Sequence, residues 1–252
     1  MGGKKSKDSI MKKIRDGFYL FLVSLYTLIL GIPAILLTFL YPGGNLSYLI
    51  GRFWAWLILK TLGVKVEVKG LEYLKNLKSF IIMANHQSHL DVASIMATFP
   101  HQLRFLAKKE LARIPVFGWA MFLQGHLLIE REKREKAFRT IDLAAEKVKK
   151  GKKLVVFPEG TRSDGESLLP FKKGGFVLAI KAGAPVIPVS IYGTHKILPR
   201  KSFRLGEGKL VKILVHPPVE TSSFTMENKE RLMDIVRRKI EDGIKALSDG
   251  DS

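Results

Sequence analysis

Residues 79–91, SFIIMANHQSHLD, contain a short apolar, β-branched run (79–84) that gives way through polar residues to a helical pattern over 89–98. Working outward, the alternation repeats. VKVEV (64–68), RFLA (104–107), LLIE (127–130), LVVF (154–157), PVIPVSIY (185–192) and KLVKILV (209–215) read as strands. Residues 115–123, 133–149, 174–182 and 226–246 read as helices, the last with Leu232, Ile235, Val236, Ile240 and Ile244 at helical spacing. Strands separated by helical stretches predict an α/β domain over 64–252, a central mixed sheet flanked by helices. No internal repeat or low-complexity segment interrupts it.

Upstream the pattern differs. GFYLFLVSLYTLILGIPAILLTFLY (17–41) is long enough to cross a bilayer, at about 20 residues per span. A second apolar stretch, NLSYLIGRFWAWLIL (45–59), follows the helix-breaking Tyr41-Pro42-Gly43-Gly44. Residues 1–63 are therefore expected to form a membrane-embedded two-helix hairpin after a basic N-terminus. Both outer flanks are basic (Lys4 to Arg15, and Lys60, Lys65, Lys69), which places both ends on the cytoplasmic face. Arg52 disfavours a second full span, since an Arg at mid-bilayer costs about 2.5–3.5 kcal/mol on insertion scales. Gly31-Ile32-Pro33 should kink the first helix. The expected location is the cell membrane, with a monotopic hairpin and a cytoplasmic catalytic domain.

The chain of 252 residues has no Cys, which excludes disulfide scaffolds, thiolate metal sites and Cys nucleophiles. Its net charge of +19 seeks a negative partner: nucleic acid, an anionic membrane surface or a phosphorylated substrate. Residues 1–16 carry +4 of it and 17–63 only Arg52 and Lys60, leaving +13 on 64–252.

Asn85-His86-Gln87-Ser88-His89-Leu90-Asp91 lies where strand 79–84 ends, a position where binding and catalytic groups collect. Positions five apart do not face each other on one helix, so His86 must sit in the turn with Asp91 in the first helical turn. Asp91 can then reach back to one imidazole nitrogen and leave the other to take a proton from a hydroxyl. Two other readings stay open on the residues alone. Ser88 and Asp91 can be a helix cap, and His86, His89 and Asp91 can be part of a metal site.

Phe157-Pro158-Glu159-Gly160-Thr161-Arg162-Ser163 follows another strand. A forked guanidinium suits phosphate, and Gly160 lets backbone amides approach it closely. Phe171-Lys172-Lys173-Gly174-Gly175 and Leu106-Ala107-Lys108-Lys109 add cations at further element ends, consistent with an anion site or with a merely solvated surface.

Four blocks in order resemble the 1-acyl-sn-glycerol-3-phosphate acyltransferase family over most of 64–220. They are Asn85-His86-x4-Asp91, Gly125-His126-Leu127-Leu128-Ile129-Glu130-Arg131, Glu159-Gly160-Thr161-Arg162 and Val186-Ile187-Pro188-Val189. The resemblance implies acyl transfer from an acyl carrier protein or coenzyme A thioester to the sn-2 hydroxyl of 1-acyl-glycerol 3-phosphate, giving phosphatidic acid. It makes His86 the general base and Asp91 its orienting partner. Arg162, with Gly160 and Thr161, would hold the acceptor phosphate, helped by Arg131 and by Lys108 or Lys109, while Glu159 braces Arg162. Pro188 is expected to shape the pocket without doing chemistry, the plainer alternative being that it only marks a strand end. Backbone amides near Gly160 or at the start of helix 89–98 would stabilise the oxyanion. No cofactor or metal is implied, and the expected partners are membrane phospholipid, lysophosphatidic acid and the thioester carrier, without nucleic acid. Rival readings are transfer to glycerol 3-phosphate or another lysophospholipid, a membrane-bound metallohydrolase, and a non-enzymatic basic binder.

Overall fold

The computed structural model describes residues 2–41, 44–130, 133–165, 167–200, 202 and 204–249. Among them are seven strands: β1 (Lys65–Lys69), β2 (Ile81–Ala84), β3 (Leu103–Lys108), β4 (Leu127–Ile129), β5 (Lys153–Val156), β6 (Val186–Tyr192) and β7 (Leu210–Val215). They form one sheet in the order β1-β7-β6-β2-β5-β3-β4. Every neighbouring pair is parallel except β6 and β7, so the sheet is mixed, as the sequence predicts.

Period two divides each central strand between two cores. In β2, Ile82 and Ala84 join a cluster with α2 (Asn45–Thr61) and α3 (Leu90–Thr98). Ile81 and Met83 face the other side, against α5 (Arg134–Lys149), α6 (Gly174–Ala182) and α8 (Lys229–Asp249). This burial on both faces explains why β2 is an unbroken apolar run. Pro188 neither marks a strand end nor lines the cavity at His86, but lies buried inside β6 opposite Met83. A central strand tolerates its missing N–H here because the ladder with β7 begins one residue later, at Val189–Val215.

The N-terminal helix α1 (Gly2–Leu40) takes in the basic segment as well as the apolar one and continues through Pro33. Its apolar part, Ile10–Leu40, is the one described helix long and apolar enough to cross a membrane, and only 6% of its most apolar window is buried. A soluble core helix would be mostly covered. Of the turn expected at 41–44, Pro42 and Gly43 lie outside the described residues.

Trp54 Nε1 of α2 donates to Thr27 Oγ1 of α1 (3.1 Å), and the hydroxyls of Tyr26 and Thr61 lie 3.3 Å apart. On its other face α2 buries Tyr48, Ala55, Ile58 and Leu59 in the core shared with β2 and α3, so that core continues across residue 63. Arg52 Nε donates to Ala97 O (3.3 Å) in the last turn of α3, where a cation meets the negative end of the helix dipole. Between β3 and β4 lies α4 (Phe117–Leu123), whose Trp119 and Phe122 are exposed.

Candidate active site

Adjacent parallel strands end on the same side of a sheet, so loops far apart in sequence meet there. The loop after β2 carries His86, the loop after β5 carries Glu159 to Ser163, and β3 ends at Lys108. Two side-chain bonds extend the β2–β6 pairing past Ala84: Asn85 Nδ2 donates to Ile191 O (2.8 Å), and Ile191 N donates to Asn85 Oδ1 (2.7 Å). The next residue, His86, is thereby fixed at the sheet edge.

Asp91 is fully buried, and its Oδ2 lies 2.8 Å from His86 Nδ1. The same oxygen accepts from Gln87 N (2.7 Å) and Ser88 N (2.8 Å), while Ser88 Oγ accepts from Leu90 N (3.2 Å). Two of the three sequence readings thus meet in one loop: Ser88 Oγ takes the first amide of α3, and the carboxylate that binds the two amides ahead of the helix also orients the imidazole. A carboxylate on Nδ1 holds the proton there and leaves Nε2 with its lone pair. The ring of His86 stacks on Phe157, with centroids 4.1 Å apart. Among the described residues no three His, Cys, Asp or Glu side chains group as a metal site would require. His89 instead lines the cavity described below, uncharged: burial first, and then Arg162 and His86, depress its pKa to about 4.

Glu159 does not brace Arg162. Its Oε1 accepts from His86 N (2.7 Å) and its Oε2 from Leu169 N (2.9 Å), with the residue almost fully buried. Burial pushes its carboxyl up to about 7, against the pull of those two amides. Ser163 N also donates to His86 O (2.7 Å), so the loop after β5 clamps the His86 backbone from both sides. Gly160 has φ +74, a left-handed conformation natural to glycine. Its N–H is engaged by Phe157 O (3.0 Å), and those of Gln87, Ser88, Leu90 and Asp91 are engaged within their own loop. Among the described residues the amides of Thr161 and Arg162, and that of His89 at the start of α3, carry no such bond, which leaves both expected places for the oxyanion donors open.

A cavity of about 570 Å³ is lined by His86, Gly160, Thr161, Arg162 and Lys108 and by residues of α1, α2, α3 and α4. Much of its remaining lining is apolar, with Val23, Leu30, Trp54, Met96, Phe105 and Phe117 along it. Base, guanidinium, ammonium and an apolar channel therefore share one space. The structure separates the two candidate lysines. Lys109 Nζ is held by Glu130 (2.9 Å), whereas Lys108 lines the cavity. Arg131 lies outside the described residues. Burial first and Arg200 next draw the Arg162 guanidinium below its ordinary pKa, while Asp91 opposes them.

Sequence reasoning missed Arg200 and the corner after β6. There Thr194 Oγ1 lies 2.6 Å from Asp91 Oδ1, and His195 Nδ1 lies 2.8 Å from Gln87 Oε1. The only sequence signal was that Gly193-Thr194-His195 ends a strand, as the other site loops do.

The profile of the acyltransferase family matches residues 65–192, just over half of the chain and every site loop named so far up to the end of β6. The chain belongs to the acyltransferase family. It is 37% identical over 189 residues to a 1-acyl-sn-glycerol-3-phosphate acyltransferase of Saccharomyces cerevisiae, covering 74% of this chain and 62% of the yeast protein. It is 32% identical over 228 residues to a chloroplastic protein of that description from Brassica napus, covering 90% of this chain and 64% of the other. The chain thus spans less than two thirds of the length of these relatives. A solved structure, the 1-acyl-sn-glycerophosphate acyltransferase of Thermotoga maritima, superposes with a TM-score of 0.75 at 30% identity, covering 92% of this chain and 97% of that one. The resemblance read from the four blocks points to this same group of acyltransferases.

Proposed function

We propose that the protein transfers an acyl group from a thioester donor to the free sn-2 hydroxyl of 1-acyl-glycerol 3-phosphate, releasing phosphatidic acid and the carrier thiol. The observation that carries this reading is the continuity of one cavity from His86, Arg162 and Lys108 into an apolar channel. An acceptor with a phosphate beside its reactive hydroxyl and an acyl chain behind it matches those surfaces.

His86 Nε2 removes the hydroxyl proton, and the oxygen attacks the thioester carbonyl. The tetrahedral intermediate then collapses with loss of thiolate, which takes the proton back from the imidazolium. Asp91 stabilises the imidazolium between these two steps. The acceptor hydroxyl is itself the nucleophile, so the sequence of bonds requires no acyl-enzyme, metal or cofactor. Arg162 and Lys108 bind the acceptor phosphate, and the amides of Thr161 and Arg162 or that of His89 at the start of α3 meet the developing oxyanion, where such donors are worth about 3–4 kcal/mol.

The exposed apolar surface of α1 supports monotopic attachment to a phospholipid surface, with the catalytic domain on the cytoplasmic side of the cell membrane. The positive charge of the domain suits anionic lipid and either acidic donor, acyl carrier protein or coenzyme A. The test is a transfer assay of purified protein against an acceptor panel (1-acyl-glycerol 3-phosphate, glycerol 3-phosphate, a lysophospholipid with a phosphodiester head) with both carriers. The expected result is the highest kcat/KM with 1-acyl-glycerol 3-phosphate. Preference for another acceptor overturns the substrate assignment, and release of free fatty acid abolished by a chelator overturns the reaction class.

A further inference from the structure

The carboxylate of Asp91 is held asymmetrically. Its Oδ2 serves three donors, His86 Nδ1 and the amides of Gln87 and Ser88. Its Oδ1 is met by the Thr194 hydroxyl at 2.6 Å, in the range of a charge-assisted O–H bond to a carboxylate. Both residues are fully buried, so water does not replace that donor. Thr194 opens the short helix α7 (Thr194–Ile197) straight after β6 and is set there by Gly193, at φ +96. A Cβ on Gly193 would run into Leu210 O, so the turn that delivers Thr194 to Asp91 requires glycine. The next residue, His195, holds Gln87 Oε1 (2.8 Å). One corner thus grips both the carboxylate and the loop segment between it and His86.

We propose that Thr194 is a positioning residue of the active site, the third member of a His86–Asp91–Thr194 chain, whose hydroxyl fixes the rotation of the Asp91 carboxylate so that Oδ2 faces His86 Nδ1. The torsion that turns a carboxylate about its last bond is broad and soft, so a buried Asp with one oxygen unmet reorients towards whatever donors remain. The hydroxyl removes that freedom. It acts through Asp91 and does not touch the substrate.

The inference rests on the proposed acyl transfer for its kinetic readout only. Thr194→Val keeps shape and removes the donor. It should lower kcat roughly ten- to a hundredfold, the loss expected of a hydrogen bond to a charged group, with both KM values within about twofold of the original. Thr194→Ser should restore most of kcat. The second readout needs no turnover: the low-field NMR resonance of His86 Nδ1–H, assigned by its absence in His86→Gln, should be lost or broadened in Thr194→Val and present in Thr194→Ser. The other titratable groups that feel Asp91 include His89, Arg162, His195 and Glu159, and none changes in these variants, so the resonance reports on Asp91 itself. An unaltered resonance with kcat within about twofold overturns the proposal, as does a Ser variant as impaired as Val, which would mean that the Thr methyl and not its hydroxyl matters. If Thr194→Val does not fold, Thr194→Cys, similar in size and a weak donor, is read by the same criteria. Absence of transfer in the unmutated protein would refute the acyltransferase reading and leave the resonance test of Thr194 intact.

Discussion

At the residue scale, two carboxylates near His86 do opposite work. Asp91 receives four hydrogen bonds and touches the imidazole; Glu159 receives two amides and touches only backbone. Asp91→Asn should cost kcat up to about 10⁴-fold by presenting the wrong tautomer or leaving the imidazolium unsupported, whereas His89→Ala should be mild; steady-state kinetics at saturating acceptor and donor check both. For Glu159 the prediction concerns pH. Its folded carboxyl titrates near 7 against an ordinary value of 4.5, so between those values the unfolded chain releases a proton that the folded chain keeps. Its contribution to stability is therefore present below about 4.5 and lost as pH rises towards 7. His89 and His126, depressed to about 4 and about 3, act with the opposite sign, since their stability is lost as pH falls below 6.5. They cancel in a comparison of the protein with Glu159→Gln. The stability deficit of that variant, measured by urea denaturation, should shrink from pH 4.5 to 7; a constant deficit would show that Glu159 is ionised throughout.

At the element scale, hydrophobic periodicity located the seven strands and the main helices because burial imposes period two on strands and 3.6 on helices. In α8 the buried stripe is Leu232, Val236, Ile240 and Gly243, continuing the spacing legible in the sequence. What periodicity does not carry is fit. A Cβ on Gly243 would strike Ser190 Oγ and His216 Nε2, which lie 2.8 Å apart beneath α8. Gly243→Ala should therefore destabilise by about 1–3 kcal/mol through overpacking, despite the better helix propensity of Ala. Gly17→Ala, where nothing lies within 4 Å, is the control. Denaturant midpoints that fall equally for both would contradict this.

At the scale of the whole molecule, the two N-terminal helices differ in kind. α1 is exposed along its apolar length, and α2 is wedged between α1 and the sheet core. Removal of 1–63 would strip Tyr48, Ala55, Ile58, Leu59 and Leu62 from that core, with Ile58, Leu59 and Leu62 worth about 1.5–3 kcal/mol each, so truncation there should give insoluble protein and not a trimmed enzyme. Topology is better tested on the full chain, which has no native Cys. With Lys5→Cys or Tyr41→Cys, an impermeant thiol reagent confined to the side opposite the catalytic domain should label neither. Labelling of position 5 from that side would establish a single span, and labelling of position 41 would establish a full crossing at the turn.

The sequence by itself determined the α/β class, the strand and helix positions and the apolar N-terminal helix, and it offered the pairing of His86 with Asp91 as one of three readings. Each of these is local: a period, a composition or a spacing of five residues within one loop. Only the tertiary structure decided that Glu159 holds His86 and not Arg162, that Lys108 and not Lys109 lines the cavity, and that α2 belongs to the core. Thr194, 103 residues from Asp91, is the clearest case. Strand order in a sheet is a property of the whole chain, so contacts between loops at the ends of neighbouring strands leave no pattern along the sequence.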